Sequence, residues 1–330
     1  MTFSKSLYTI KEETPIFKRM VIDCEKVAHI IINFIRQKVE EEAKNGVVLG
    51  LSGGIDSSVV AYLAVRAMEN PSKVHALYLF DITSEKQFKN YAQEVARQLG
   101  LVFKEVDITE ESRRQGAYKS PIIRFTTIVP FLNKFLIWAS NKVIYPLFFK
   151  KSGFIVTLER GASCKNWVSR MIYNTIAAAV EESFNVRHRV RRKILEEYSQ
   201  IHNLLPIGCT NRSERFVGWF VPGGIDDLSI EPIGSLYKCQ VRQLAKWLGV
   251  PEKIINQVPS PDMFKRVGDE EMIGYSYEKI DKVSYVVEHG LDENILIKEN
   301  ITKEEIDGIK LLHQLSRWKR RNIPECPLIE

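Results

Sequence analysis

The chain has 330 residues, 45% of them hydrophobic and 27% charged, with a net charge of +6. That suffices for a full core, as one large domain or one domain with a substantial appendage, and the mild positive charge suits polyphosphate substrates without requiring them. Its five cysteines, Cys24, Cys164, Cys209, Cys239 and Cys326, are odd in number and form no CxxC pair, which argues for a reducing compartment and against a zinc or iron–sulfur centre. The first residues, with Lys5, Lys11, Glu12 and Glu13, lack the apolar stretch of a signal peptide, so a cytoplasmic location is expected.

Residues 1–20 show no strong period and read as an arm. From Val21 to Glu42, apolar Val27, Ile30, Ile31, Phe34, Ile35 and Val39 mark one face of an amphipathic helix. The run Val47–Leu51 reads as a buried strand, and Val59, Val60, Leu63 and Ala64 place a helix directly after it. Val74–Phe80 is a second strand, Ser84 an N-cap for a helix to Leu99, and Leu101–Val106 a third strand. Helices across Asn166–Tyr198, a strand at Leu204–Ile207 and a helix from Ser213 resume the alternation. This order predicts an α/β fold, a doubly wound parallel sheet with flanking helices and ligands at the carboxyl ends of its strands.

Residues 110–165 interrupt the pattern. Within them Ile122–Phe149 is rich in Phe, Ile, Leu, Trp and Tyr but broken by Pro130, Lys134, Lys142 and Pro146. No uncharged run reaches the length of a membrane span, so a transmembrane helix is rejected. A dimer surface or a lid over the site is the preferred reading, with an interfacial membrane helix as the alternative. The expected organisation is a single domain over 1–330 with this helical, apolar insertion and a helical tail over 265–330. Its last helix, Lys303–Arg321, reads as ending in a solvated cluster of Lys319, Arg320 and Arg321.

The stretch Gly50-Leu51-Ser52-Gly53-Gly54-Ile55-Asp56-Ser57-Ser58 joins the first strand to its helix. A glycine turn ahead of a helix presents unpaired N–H groups and a positive dipole end to an anion. Ser52, Ser57 and Ser58 add hydroxyls, and Asp56 adds a carboxylate suited to Mg²⁺. GxxxxGK[ST] is absent, which excludes a kinase-type P-loop. The run Ser52–Ser57 resembles the pyrophosphate loop of the N-type ATP pyrophosphatases, and the resemblance implies the adenine nucleotide alpha hydrolase-like fold.

A second segment narrows the resemblance. Leu205–Glu214, Gly218-Trp219-Phe220, Pro232–Lys238 and Val241–Pro251, with Asn185–Arg191 upstream and Ser260-Pro261-Asp262 downstream, resemble ammonia-dependent NAD synthase over roughly residues 25–105 and 165–325. The resemblance implies that Gly50–Ser57, Cys209, Lys238 and Ser260 hold ATP. It implies Asp56 and Glu214 as Mg²⁺ ligands, Lys238 on the phosphates, and Arg189, Ser229 and Lys319 at the substrate. Cys209 replaces a threonine usual in that family. Pro222 stands where a substrate-contacting lysine is expected, Ser229 where an aspartate is expected, and Trp318 where a histidine is expected. A shift of one or two residues brings Asp226 or Asp227 into the aspartate's place.

The implied reaction is ATP- and Mg²⁺-dependent adenylation of the carboxylate of nicotinic acid adenine dinucleotide, followed by amidation with ammonia to NAD, AMP and pyrophosphate. A paralogue amidating another carboxylate is the alternative. ATP-dependent sulfur transfer to tRNA is a further one, disfavoured because the paired cysteines of that branch are missing. The stretch ahead of Val47 is too short for a glutaminase domain, so free ammonia or a separate glutaminase partner is expected to supply nitrogen. A homodimer through the Asn166–Tyr198 helices is expected, and nucleic acid is not expected as a partner.

Overall fold

A computed structural model describes residues 15–320 and Cys326. Its sheet has four parallel strands, β1 (Val47–Gly50), β2 (Val74–Phe80), β3 (Val102–Asp107) and β4 (Leu205–Pro206), in the order β3-β2-β1-β4. Val47 sits opposite Val74 on one side and Leu205 on the other. Alternate residues point to opposite faces of a strand. Accordingly Val47, Leu49, Val74, Ala76 and Tyr78 enter one core, under the Cys24–Glu41, Ile55–Met68 and Lys238–Leu248 helices. Val48, Leu77 and Leu79 enter a second core with Val186, Val190 and Leu195 of the Ala178–His202 helix. The doubly wound arrangement expected from the strand–helix alternation is what the chain adopts.

The strand order fixes where a ligand fits. Chain connections leave β1 toward β2 on one side and return to β4 on the other, so the segments following β1 and β4 diverge and leave a crevice at this switch point. The Ile55–Met68 helix that follows β1 is buried nearly all round, with Val59, Val60, Ala61, Leu63 and Ala64 inaccessible. A helix so enclosed holds its N-terminus rigidly at the crevice.

Two regions differ from the expectations. Pro15–Arg19, within the predicted arm, is a helix whose Ile16 and Phe17 are buried, while residues 1–14 lie outside the described residues. The interruption is the helical insertion expected, built of short helices from Thr109–Arg114 to Gly153–Leu158 joined by turns, with a π turn at Ser140–Ile144. The last helix stops at Leu315, followed by a 3₁₀ turn at Arg317–Lys319. Lys319 is buried there and not solvated, because its ammonium turns inward to backbone carbonyls; Arg320 likewise donates to the carbonyls of Phe216 and His313. Arg321 lies outside the described residues. The C-terminal helices share a core with Phe154, Phe216 and Tyr237, so they are integral to the fold.

Candidate active site

The loop after β1 is ordered by its own side chains. Ser57 Oγ lies 3.0 Å from Ser52 Oγ and accepts from the Ser52 N–H, and Ser52 Oγ accepts from the Gly54 N–H. Gly53 has φ +82°, and a Cβ there would stand 2.2 Å from the Phe88 carbonyl oxygen, so only glycine closes this turn. Gly54 occupies the N-cap position of the Ile55–Met68 helix without a side-chain cap, leaving its first N–H groups and dipole end to a ligand.

At the mouth of this loop charged groups converge from three elements. Asp56 Oδ2 lies 2.6 Å from Lys238 Nζ, and Glu214 Oε1 lies 3.2 Å from the same nitrogen. Asn211 caps the Arg212–Val217 helix by accepting from the Glu214 N–H, and its Nδ2 donates to Asp56 Oδ1 at 2.9 Å. The Tyr277 hydroxyl stands 3.2 Å from Glu214 Oε1 and 3.0 Å from Asp269 Oδ2. Burial works against the charge on Lys238, but Asp56, Glu214 and Asp269 outweigh it and raise its pKa above the ordinary lysine value. Burial pushes the Glu214 carboxyl up to about 7 against the pull of Lys238, and Asp269 is raised for the same reason.

Asp56, Glu214, Lys238 and Asp269 line a cleft. Of the residues expected at ATP, Gly50, Leu51, Ser52, Gly54, Ile55, Asp56, Ser57, Cys209, Lys238 and Ser260 all face it. Gly53 contributes the turn instead. Burial, with Glu231, Asp56 and Glu214 nearby, raises the Cys209 thiol, keeping it protonated and unreactive. Among the described residues no cluster of three or more His, Cys, Asp or Glu is placed to hold a metal by itself. Asp56 and Glu214 do reach a common centre, the Lys238 ammonium, and a pair of carboxylates completed by substrate phosphates is the donor set Mg²⁺ prefers. The residues present fit that ion.

A second cavity opens beside the first, sharing His188, Trp219, Asp226 and Pro261 with it. Ile137, Tyr145 and Phe154 of the interruption wall it, with Val180, Phe184 and Phe220 opposite. Lys319 lines it, donating to the Gly218 and Phe220 carbonyls at 2.9 and 2.8 Å; burial lowers its pKa to about 8, against the pull of Glu181 and Asp226.

Two expected substrate residues are not brought here. Arg189 is exposed on the Ala178–His202 helix, while Arg187 and Arg191 face inward and His188 reaches both cavities. Each residue advances a helix by about 100°, so a helix that buries 187, 188 and 191 turns 189 outward. Ser229 is exposed and lines neither cavity. Asp226 stands at the seam instead, 3.2 Å from His188 Nδ1 and accepting from the Val221 N–H. Pro222 is half-buried, and the Trp318 ring lies under the Arg160 guanidinium at 3.5 Å. Asn211, Asp269 and Tyr277 were not picked out from sequence, since a capping asparagine and a helix-start aspartate carry no signal of a site 58 residues apart in the chain.

Comparison with known proteins bears on this geometry. The sequence profile of the NAD synthase family matches residues 27–121 and 166–323. The NH(3)-dependent NAD(+) synthetase of Coprothermobacter proteolyticus is 32% identical over 296 residues, covering 86% of this chain and 93% of the relative. That of Methanocaldococcus jannaschii is 32% identical over 306 residues, covering 92% and 97%. Among solved structures, NH3-dependent NAD synthetase from Campylobacter jejuni superposes with a TM-score of 0.59 at 26% identity, covering 90% of this chain and 96% of its own. An NMN synthetase from Francisella tularensis shares the fold, with a TM-score of 0.63 at 22% identity over 91% and 97% of the two chains.

Proposed function

The chain belongs to the NAD synthase family, whose members are amide-forming C–N ligases, and from that premise we propose that it converts nicotinic acid adenine dinucleotide to NAD with ATP, Mg²⁺ and ammonia. The observation that carries this reading is the Lys238 ammonium held between Asp56 and Glu214 at the mouth of the Ser52–Ser57 loop. There the loop N–H groups, the serine hydroxyls and one cation surround the space for a polyphosphate.

The chemistry runs in two displacements. An oxygen of the acceptor carboxylate attacks the α-phosphorus of ATP, the bond to the β-phosphate oxygen breaks, and pyrophosphate leaves. Ammonia then attacks the acyl carbon, AMP departs, and the nitrogen loses a proton to give the amide. Lys238 supplies positive charge where pyrophosphate develops its own negative charge, and the fixed backbone dipoles need no reorganisation. Mg²⁺ bound by Asp56 and Glu214 would neutralise further charge on the leaving group. The second cavity, joined to the first at His188, Trp219, Asp226 and Pro261, supports an acceptor lying across the seam with its carboxylate toward ATP.

The test is release of pyrophosphate and AMP from ATP with Mg²⁺ and ammonia, with and without the dinucleotide. Stimulation by the dinucleotide with NAD as product is expected. ATP-dependent amidation of some other carboxylate, with the dinucleotide inert, would overturn the acceptor and leave the activation chemistry standing. Such an outcome would trace to a cavity walled in part by residues of the interruption, which lie outside the family match.

A further inference from the structure

We infer that the helices spanning residues 121–149 form an amphipathic surface that seats this protein on an anionic lipid bilayer. Beyond Pro121 they lie in the gap between the two matched regions, 27–121 and 166–323, so the family's sequence profile does not account for them.

Their phase separates two faces. Asn133, Ile137, Asn141, Tyr145 and Phe149, spaced four apart, turn toward the protein: Asn133 is 2% exposed, Asn141 donates to the Glu271 carbonyl at 2.9 Å, and Tyr145 and Phe149 are buried. The π turn at Ser140–Ile144 winds more slowly than an α-helix, which keeps that four-residue spacing on one side. The other side presents Phe131, Phe135, Trp138 and Leu147, each more than half exposed, with Phe135 and Trp138 stacked at 6.0 Å, and Ile128 at the end of the preceding helix is exposed too. Large exposed aromatics gathered on one short segment mark a binding surface.

Charge identifies the occupant. From Ser112 to Leu158 there are eight Lys and Arg and no Asp or Glu, more positive charge than the net +6 of the whole chain. Lys119, Arg124, Lys142 and Lys150 are exposed along the same segment; Lys134, also exposed, reaches Glu271 at 3.5 Å. A second copy in a two-fold dimer would lay this face against itself, cation on cation with no acid in the segment to pair. An anionic headgroup layer supplies the missing negative charge, and the acyl chains beneath it take up the rings to a depth of about 5–10 Å. We place the surface on the membrane, in its interface: among the described residues no single helix is long and apolar enough to span, and Pro121–Ile128 and Pro130–Phe149, which reach that length and apolarity only together, are bent 99° apart.

The full chain is sedimented with vesicles of equimolar phosphatidylcholine and phosphatidylglycerol, and with vesicles of phosphatidylcholine alone. Binding to the anionic vesicles that weakens with salt is expected. The pair Phe135→Ser with Trp138→Ser, and separately Lys142→Glu with Lys150→Glu, each weaken it by roughly tenfold or more. None of these four side chains lines either cavity, so ATP-dependent turnover in free solution and the melting temperature stay at wild-type values. Absence of binding to anionic vesicles, or binding that survives both double substitutions, overturns the inference. A concentration-dependent self-association in sedimentation velocity that both pairs abolish, without vesicle binding, would assign the face to a second copy instead.

Discussion

Lys238 and Asp56 are 182 residues apart in sequence and 2.6 Å apart in space, with the ammonium almost wholly buried. This contact ties the helix after the glycine loop to the Lys238–Leu248 helix, so the buried cation of the cleft and the carboxylate proposed to bind Mg²⁺ share one position. Lys238→Met leaves Asp56, Glu214 and Asp269 facing one another without their cation. A buried pair that loses one partner costs on the order of 3–5 kcal/mol, so the melting temperature should fall. Pyrophosphate release should fall by roughly two to three orders of magnitude. Mg²⁺ should restore more of the melting temperature to Lys238→Met than it adds to wild type, because the ion enters a centre the ammonium has vacated. Equal Mg²⁺ shifts in the two proteins would show that Asp56 and Glu214 are not its ligands.

The two loop glycines separate folding from catalysis. Gly53→Ala places a methyl 2.2 Å from the Phe88 carbonyl at a φ of +82°, a conformation that costs of order 1–3 kcal/mol for a side-chain-bearing residue even without the clash. Gly54→Ala meets only Ser52 Oγ at 3.3 Å and keeps an ordinary backbone. Denaturant unfolding should therefore show a large loss for Gly53→Ala and a small one for Gly54→Ala, while ATP binding by calorimetry weakens in both. A stable Gly53→Ala protein would mean the turn can be rebuilt.

How far the site was legible follows from locality. Ser52, Asp56 and Ser57 sit within one strand–turn–helix unit, so the spacing of apolar residues around them was enough to place them. Lys238, Cys209 and Ser260 were placed by the order of segments along the chain, and they face the same cleft. Arg189 and Ser229 line neither cavity, for a different reason. Their positions depend on the rotational phase of a 25-residue helix and on the register of the 221–229 turn. Tertiary packing sets both, and one sequence does not encode them locally. The interruption was legible as apolar, but which of its aromatics point outward depends on a π turn with no signature in composition.

Lys319 carries a pH dependence of predictable sign. Burial lowers its pKa from the ordinary 10.5 to about 8, so between those values the folded state binds fewer protons than the unfolded one. Stability contributed by this residue therefore rises with pH through that window, and the cost is borne in full below about 8. The stability difference between wild type and Lys319→Met should shift in favour of wild type by on the order of 3 kcal/mol from pH 7 to pH 10.5. Chemical denaturation of both proteins at the two pH values measures it. A difference that does not move with pH would place the ammonium in a wetter setting than its contacts with the Gly218 and Phe220 carbonyls indicate.

Asp226 is the carboxylate at the seam of the two cavities, and its role divides cleanly from that of Asp56. Its Oδ2 accepts from the Val221 N–H, while Oδ1 faces His188 Nδ1 at 3.2 Å. Asp226→Asn keeps the volume and one acceptor but removes the charge, so the Val221 contact survives while the hold on His188 weakens. Because the Asp56–Lys238–Glu214 cluster is untouched, ATP affinity should stay within about twofold, whereas KM for the acceptor should rise by roughly tenfold as the close ionic contact that orients His188 is lost. Arg189→Ala and Ser229→Ala, both at exposed positions that line neither cavity, should leave both constants near wild type when assayed as a monomer. If Arg189→Ala instead raises the acceptor KM and does so only at concentrations where the protein self-associates, the arginine reaches the acceptor from a second copy. The expected Asn166–Tyr198 dimer would then be part of the site.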